Sequence, residues 1–328
     1  MDKTRLDILA IGDGQAVLHY ASTPFYPSYG KEIATPKMEL EVTGSTLQFV
    51  VASSRLGLKM SLITKLGEDY FGRMVLERLR TTTIDLSQIK TSAYEKTSVS
   101  TVLVHDSGKW LAITYIGANE TISPDDVAES YRKYIKDRKP RIFHIGSYFK
   151  FPLLMGKPFM TMLEFARQNQ ALTSLDLIWD PFGWTDERIE TLCKTLCHVD
   201  IFLPNLNEAK MITGCNRVEG AVDKLLKLGP RIIAMKMGRK GCIIASSNGI
   251  IKVPTFKIKP LDTVGAGDAF AAGFLYGMVK GFSLQESAII GNAMGAMKSL
   301  TIGYKFHWSF TIEQVNAFLQ KNGINIKI

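Results

Sequence analysis

The sequence predicts an α/β protein with a mainly parallel sheet and helices on both faces. Three observations point there. From Arg141 onward, short apolar runs (Ile142–Ile145, Leu172–Leu177, Ile201–Leu203, Ile232–Met237, Cys242–Ala245) alternate with helical stretches near 157–169, 186–197, 207–213 and 218–228. Such alternation builds parallel strands joined by crossover helices. The chain also opens on an apolar run, Leu6-Asp-Ile-Leu-Ala-Ile11, that ends in the turn Gly12-Asp-Gly14. Finally, Asp262-Thr-Val-Gly-Ala-Gly-Asp268 is a glycine-broken loop leading straight into Ala269–Val279, where Phe270, Phe274, Leu275 and Met278 stand at helical spacing. With 328 residues, 46% of them hydrophobic and 22% charged, the chain can bury a large core as one unit. No linker, repeat or low-complexity segment divides it, so a single domain over residues 1–328 is expected.

Each element follows from its residues. Gly12-x-Gly14 invites a dinucleotide reading, but the third glycine of that fingerprint would fall on Val17 and no helix pattern follows. Residues 18–40 are rich in aromatics and proline (His19, Tyr20, Pro24, Phe25, Tyr26, Pro27, Tyr29, Pro36) and suit a strand-and-loop flap over a site. Thr43-Gly44 precedes an amphipathic helix from Gln48 that closes at Gly57. Lys59–Thr64 reads as a strand, followed by Gly67-Glu-Asp-Tyr-Phe-Gly72 and then a helix to about Thr81. Thr97–Val104 and Trp110–Tyr115 flank Asp106-Ser-Gly108, a hairpin signal. Segments 14–42 and 95–118 together form a small β lid in this reading.

Composition excludes several classes. The net charge is +9, yet the basic residues are scattered. The densest cluster, Lys136-Asp-Arg-Lys-Pro-Arg141, carries no interleaved aromatics, so it reads as a solvated helix end and not as a nucleic-acid track. No apolar run approaches the roughly 18 residues of a membrane span. The start, Met1-Asp-Lys-Thr-Arg-Leu-Asp, has no signal-peptide core, and four cysteines are too few for a disulfide scaffold. A cytoplasmic enzyme is expected. Cys193-x-x-x-Cys197-His198 has the wrong spacing for a zinc knuckle and reads as a helix with buried thiols.

The loop at Asp262–Asp268 carries the chemistry. Gly265 and Gly267 open backbone angles closed to other residues. The first amides of the following helix lack internal partners and attract an anion. Asp268 among them can take a proton from an attacking hydroxyl, which is what phosphoryl transfer to an alcohol requires. The competing reading makes Asp268 a helix cap and the glycines a tight turn. No Gly-x-x-x-x-Gly-Lys-Ser/Thr loop exists, which rules out a P-loop route to phosphate.

These pieces together resemble the ribokinase-like (PfkB) family of carbohydrate and nucleoside kinases along nearly the whole chain. Asp262-Thr-Val-Gly-Ala-Gly-Asp268-Ala-Phe is similar to its C-terminal signature, and Gly67-Glu-Asp-Tyr-Phe-Gly72 to its Gly-x-Asp-x-Phe-Gly element. Asn205-Leu-Asn-Glu208 has the spacing of its Asn-x-x-Glu motif, and Lys236-Met-Gly238-Arg-Lys-Gly241 stands where its nucleotide loop belongs. The resemblance implies a doubly wound sheet with a β lid and an ATP-dependent kinase. It implies Asp268 as general base, an anion hole from Gly265, Ala266, Gly267 and Asp268, and Asn205 with Glu208 holding Mg²⁺ through water. Lys236, Gly238, Gly241 and Asn292 would line the ATP site. A monovalent cation such as K⁺ would lie near Asp262 and Val264, and a homodimer could form through the lid. The partners expected are ATP and a sugar-like small molecule.

The substrate side departs from the family. Five residues beyond Gly12, where most members carry an acid, this chain has Val17, with Asp13 nearby. The Gly-Gly-x-x-x-Asn motif becomes Thr43-Gly44-Ser-Thr-Leu-Gln48; away from the substrate side, Lys236 replaces the usual threonine of the nucleotide loop. Asp13, Thr43, Gly44, Gln48 and Asp268 are the expected substrate contacts, with His19, Tyr20 and Lys150 helping to read an unusual sugar, polyol or sugar acid. A nucleoside kinase that stacks a base on Phe25, Tyr26 or Tyr148 is the nearest rival. A non-catalytic binding protein on the same scaffold is the other.

Overall fold

The computed structural model describes residues 5–23, 29–30, 32–105 and 110–328. The stacking candidates Phe25 and Tyr26 and the hairpin signal Asp106-Ser-Gly108 lie outside the described residues.

The body is a nine-stranded sheet. Its strands are β1 (Ile8–Ile11), β4 (Met60–Gly67), β5 (Ile89–Ser92), β8 (Ile142–Ile145), β9 (Leu172–Leu175), β10 (Ile201–Phe202), β11 (Ile232–Lys236), β12 (Cys242–Ser246) and β13 (Gly249–Val253). They lie in the order β13-β12-β11-β10-β9-β8-β1-β4-β5. Every pair from β11 to β5 is parallel, and β12 and β13 close the far edge antiparallel. The chain winds outward from β1 in both directions, so the order reverses between β1 and β8. In open parallel sheets a crevice forms at such a reversal, beyond the carboxyl ends of the strands.

Each strand in the middle of the sheet feeds two cores. In β1, Ile8 and Ala10 face one helix layer while Leu9 and Ile11 face the other. The first layer contains α1 (Ser45–Arg55), α2 (Tyr70–Arg80), α8 (Ala266–Lys280), α9 (Leu284–Ser299) and α11 (Ile312–Lys321). The second contains α3 (Pro124–Arg138), α4 (Lys157–Gln168), α5 (Asp186–Leu196), α6 (Leu206–Thr213) and α7 (Val218–Lys227). A short α10 (Lys305–Ser309) precedes α11. Helix α1 begins at Ser45, three residues before the expected start at Gln48. Gly44 precedes it at φ 123°, and a Cβ there would stand 2.4 Å from the Asp13 carbonyl oxygen.

Helices α8 and α9 pack with their backbones almost touching. A Cβ on Gly277 would stand 2.4 Å from Ser287 Oγ, and one on Gly291 3.0 Å from Phe270. The small residues of both helices make this approach possible.

Four strands form a separate lid in the order β3-β2-β6-β7: β2 (Gln15–Thr23), β3 (Lys37–Thr43), β6 (Ser98–His105) and β7 (Trp110–Tyr115). Although proline-rich in its middle, the 18–40 segment is therefore partly regular. Strand alternation gives the lid two faces. The inner face carries Val17, His19, Val102 and Val104, all buried. The outer face carries Leu18, Tyr20, Met38, Leu40, Leu103, Leu111, Ile113 and Tyr115, aligned across the strands.

Candidate active site

The crevice at the strand ends gathers side chains from distant segments. Asp13 follows β1, Ser147 and Lys150 follow β8, Asp176 follows β9, Asn205 follows β10, and Lys236 ends β11. The Asp262–Asp268 loop and α8 close the crevice from the opposite side.

In that loop Gly265 sits at φ 81° as the residue before α8, a left-handed angle that favours glycine. A Cβ there would also meet His307 Cε1 at 2.9 Å. Asp268 is the third residue of α8. Among the described residues, the amides of Gly265, Gly267 and Asp268 have no protein partner, whereas Ala266 N donates to the Thr263 carbonyl at 3.1 Å. Ala266 was expected in the anion hole; its amide is already committed to the turn, so the open donors are the other three.

Asp268 is not a simple cap, since its carboxylate bonds none of the helix amides. Ser45 Oγ donates to its Oδ1 at 2.5 Å. The carboxyl is only partly screened from solvent, facing the crevice, yet burial pushes its pKa up to about 8, with Asp176 and Asp13 adding repulsion against the relief from Ser45 and Lys236. A group poised there suits proton transfer near neutral pH.

Lys236 Nζ lies 2.6 Å from Asp176 Oδ1 and 3.7 Å from where a Gly267 Cβ would be. Burial alone would depress this ammonium, but Asp176 and Glu208 outweigh it and hold the pKa above its ordinary range. Burial raises Asp176, and pushes Glu208 up to about 8. Asn205 and Glu208 form a capping box on α6: Asn205 Oδ1 accepts from Asn207 N and Glu208 N, and Glu208 Oε2 accepts from Asn205 N at 2.7 Å. The pair thus has the ordinary role of a helix start. It also leaves two buried carboxylates, Glu208 and Asp176, facing a single lysine. That donor set fits a hard, oxygen-preferring cation such as Mg²⁺.

The nucleotide loop is partly explained by packing. Gly238 (φ 56°) opens onto free space, whereas a Cβ on Gly241 (φ 86°) would strike the Val253 carbonyl oxygen at 2.1 Å. The missing side chain at Gly241, a residue expected to line the ATP site, makes room for the adjoining backbone. Asn292 Nδ2 donates to the carbonyls of Val253 and Pro254 at 3.2 Å each, so this amide pins a strand end.

On the substrate side, Asp13 is fully buried and its carboxylate is engaged. It accepts from Thr46 N (2.9 Å), Ser147 Oγ (2.6 Å) and Lys150 Nζ (2.7 Å). Burial would raise its pKa, but these partners, Lys150 first, hold it below the usual range. Lys150 also donates to Gln15 Oε1 at 3.0 Å, which uses two of its three donors. Thr43 is buried beside Gly44 where β3 meets α1. Gln48 Nε2 donates to the Val42 carbonyl at 2.9 Å, while its Oε1 is buried with no partner among the described residues.

His19 and Tyr20, expected to read the acceptor, and Tyr148, the stacking candidate of the nucleoside reading, stand elsewhere. His19 is buried 3.6 Å from Asp262 and edge-on to Tyr304. Tyr20, one residue on, belongs to the outer face of the lid. Tyr148 is 0% exposed with its hydroxyl bonded to Thr195 at 2.9 Å, so it cannot stack on a nucleoside base. Val17, at the position of the missing acid, packs with Val102, Val104, Tyr304 and Val264.

The profile of the pfkB family carbohydrate kinases matches residues 10–306. This chain belongs to that family. An ATP-dependent 6-phosphofructokinase of Thermoanaerobacterium thermosaccharolyticum is 26% identical over 311 residues, covering 92% of this chain and 90% of its own. A 2-dehydro-3-deoxygluconokinase of Bacillus subtilis is 27% identical over 301 residues, 90% of each chain. A putative ribokinase II from E. coli, in complex with ATP and Mg²⁺, superposes with a TM-score of 0.82 at 20% identity, covering 96% of this chain and 99% of that one, which shows a shared fold.

Within this PfkB-family kinase, two close neighbours of Asp268 escaped the sequence reading. Ser45 sits inside the altered Thr43–Gln48 motif, but its bond to a residue 223 positions away has no local signal. Asp176 could have been found as an acid ending an apolar strand run. Lys298 and His307, described below, carried no pattern at all. Cys197, expected to be buried, is exposed, and all four cysteines are free. No metal-binding cluster of three or more His, Cys, Asp or Glu exists among the described residues, and no helix there is long and apolar enough to cross a membrane.

Proposed function

We propose that this chain transfers the terminal phosphoryl group of ATP to a hydroxyl of a sugar-like acceptor, with Asp268 as general base. One observation carries the reading: a carboxyl with a pKa near 8 stands at the start of α8 among unpartnered amides, beside Lys236. Asp268 takes the hydroxyl proton as the oxygen attacks. The amides of Gly265, Gly267 and Asp268 carry charge on the moving group, and Lys236 adds a fixed positive charge. Glu208 and Asp176, with Asn205 at the start of α6, would hold Mg²⁺, which would neutralise charge on the phosphates when bound. Residues 1–328 act as one domain, and the lid from 14–42 and 95–118 excludes water from the crevice.

Lys150 keeps a third donor for the acceptor, and the buried Gln48 carbonyl oxygen lacks a partner among the described residues. An acceptor and a cation together suit sugars, polyols and sugar acids, a choice supported by relatives named 6-phosphofructokinase and 2-dehydro-3-deoxygluconokinase. The nucleoside reading loses Tyr148, its described stacking candidate. Free cysteines support a cytoplasmic setting. A second copy of the chain covers the outer lid face, where Met38, Leu40, Leu111, Ile113 and Tyr115 are exposed in a continuous apolar patch that a two-fold axis makes self-complementary.

The test is ADP release with Mg-ATP across sugars, polyols, sugar acids and nucleosides, repeated with Asp268→Asn. Acceptor-dependent turnover is expected, lowered roughly 10²–10⁴-fold by the substitution. An Asn variant with unchanged turnover removes Asp268 from the mechanism.

A further inference from the structure

Beneath the Asp262–Gly265 loop lies a completely buried ammonium. Lys298, in the last turn of α9, has 0% exposure. Its Nζ contacts the Asp262 carbonyl oxygen at 3.1 Å, the Thr301 carbonyl oxygen at 3.3 Å and Asp262 Oδ2 at 3.3 Å. Asp262 is itself the fastening of the loop: Oδ1 accepts from Val264 N at 2.9 Å and Oδ2 from Gly303 N at 2.8 Å. The Lys298 side chain runs under Gly265, its Cε 3.7 Å from the position of a Cβ there. His307, whose pKa burial and Lys298 hold down to about 3, is neutral and donates from Nε2 to the Gly265 carbonyl at 3.1 Å.

Two carbonyl oxygens and a carboxylate at the end of a helix make a strongly negative cage. Such a cage takes a univalent cation, as rings of carbonyls do elsewhere. Here the chain fills it from within. We propose that Lys298 is the resident cation of the anion-hole loop, a tethered ammonium that does the work of a bound potassium ion and makes the enzyme independent of monovalent cations. Lys298 touches no reacting atom; it is a positioning residue, acting through Asp262 and the backbone of Gly265. The proposal rests on the kinase reading for its effect on turnover, but the occupancy of the cage does not depend on it.

Two measurements on the full chain test it. The first uses neither nucleotide nor acceptor: thermal melting in potassium, ammonium or choline chloride at equal ionic strength. The wild type is expected to melt at one temperature in all three, while Lys298→Ala melts lower and recovers saturably with potassium or ammonium but not choline, as binding to the folded state requires. The second is turnover under the same salts. The wild type should vary by less than about twofold, and Lys298→Ala should fall at least about tenfold and be rescued by the small cations. Potassium activation or stabilisation of the wild type overturns the proposal, and so does a folded Lys298→Ala that no cation rescues in either assay. If Lys298→Ala does not fold, the wild-type salt series decides alone. If no acceptor supports turnover, the kinase reading fails while the melting result still stands.

Discussion

Removing the Ser45 hydroxyl should retune Asp268, the proposed base, without touching its position. Ser45 Oγ donates to Asp268 Oδ1 at 2.5 Å, and the bond favours the charged carboxylate. Hydrogen bonds to charged groups are worth about 1.5–3 kcal/mol, and about 1.4 kcal/mol corresponds to one pKa unit. Because Asp268 faces the crevice and water replaces part of the lost bond, the lower end applies, about one unit upward. The acid limb of kcat/KM, which reports the free enzyme, should therefore lie well above the ordinary carboxylate range in the wild type. In Ser45→Ala it should move about one unit further to alkaline pH, costing up to about tenfold in rate below the limb while leaving the plateau in place. Ser45→Thr, which keeps a hydroxyl, should leave the limb where it was. A limb that stays put in Ser45→Ala would refute the reasoning, because the group titrating in kcat/KM would then not be the carboxyl that Ser45 touches.

Other substitutions probe separate parts of the site. Lys236→Met strips Asp176 and Glu208 of the cation they share and should weaken ATP binding, read by calorimetry, at least about tenfold; unchanged affinity would place the phosphates elsewhere. Lys150→Met leaves the buried Asp13 carboxylate without its counter-charge and should cost about 3–5 kcal/mol in denaturant unfolding; a loss below about 1 kcal/mol would mean that Ser147 and Thr46 suffice. Ile113→Glu, a charge in the middle of the exposed lid face, should convert a sedimenting dimer into a monomer, and identical sedimentation of both proteins would dismiss the lid interface.

The fold was legible wherever periodicity and burial agreed. The run Ile142–Ile145 coincides with β8, and the stretch near 157–169 corresponds to α4, because apolar strands flanked by amphipathic helices leave an unambiguous pattern. The antiparallel hairpin of β12 and β13 was missed in part, since Gly249–Val253 is largely exposed and shows no core-facing alternation. At the site, Asp268 and Glu208 were visible as acids at fixed spacing from glycine or asparagine. What local spacing could not convey was how each side chain is spent: Gly241 and Asn292 answer to the backbone of 253–255, and His19 answers to Asp262 across the lid. Those assignments depend on register between segments far apart in the chain.

The near contact of α8 with α9 has a mechanical consequence. With Gly277 against Ser287 and Gly291 against Phe270, neither helix can roll or slide without driving backbone into side chain. Asp268, the proposed base, is therefore mounted on a helix pair that cannot shift freely, so its position is set by packing before any ligand arrives. Compliance must come from the other jaw of the crevice, the lid. Amides of α8 and α9 should accordingly exchange with solvent only when the whole protein unfolds, while those of β3 and β7 exchange through smaller openings.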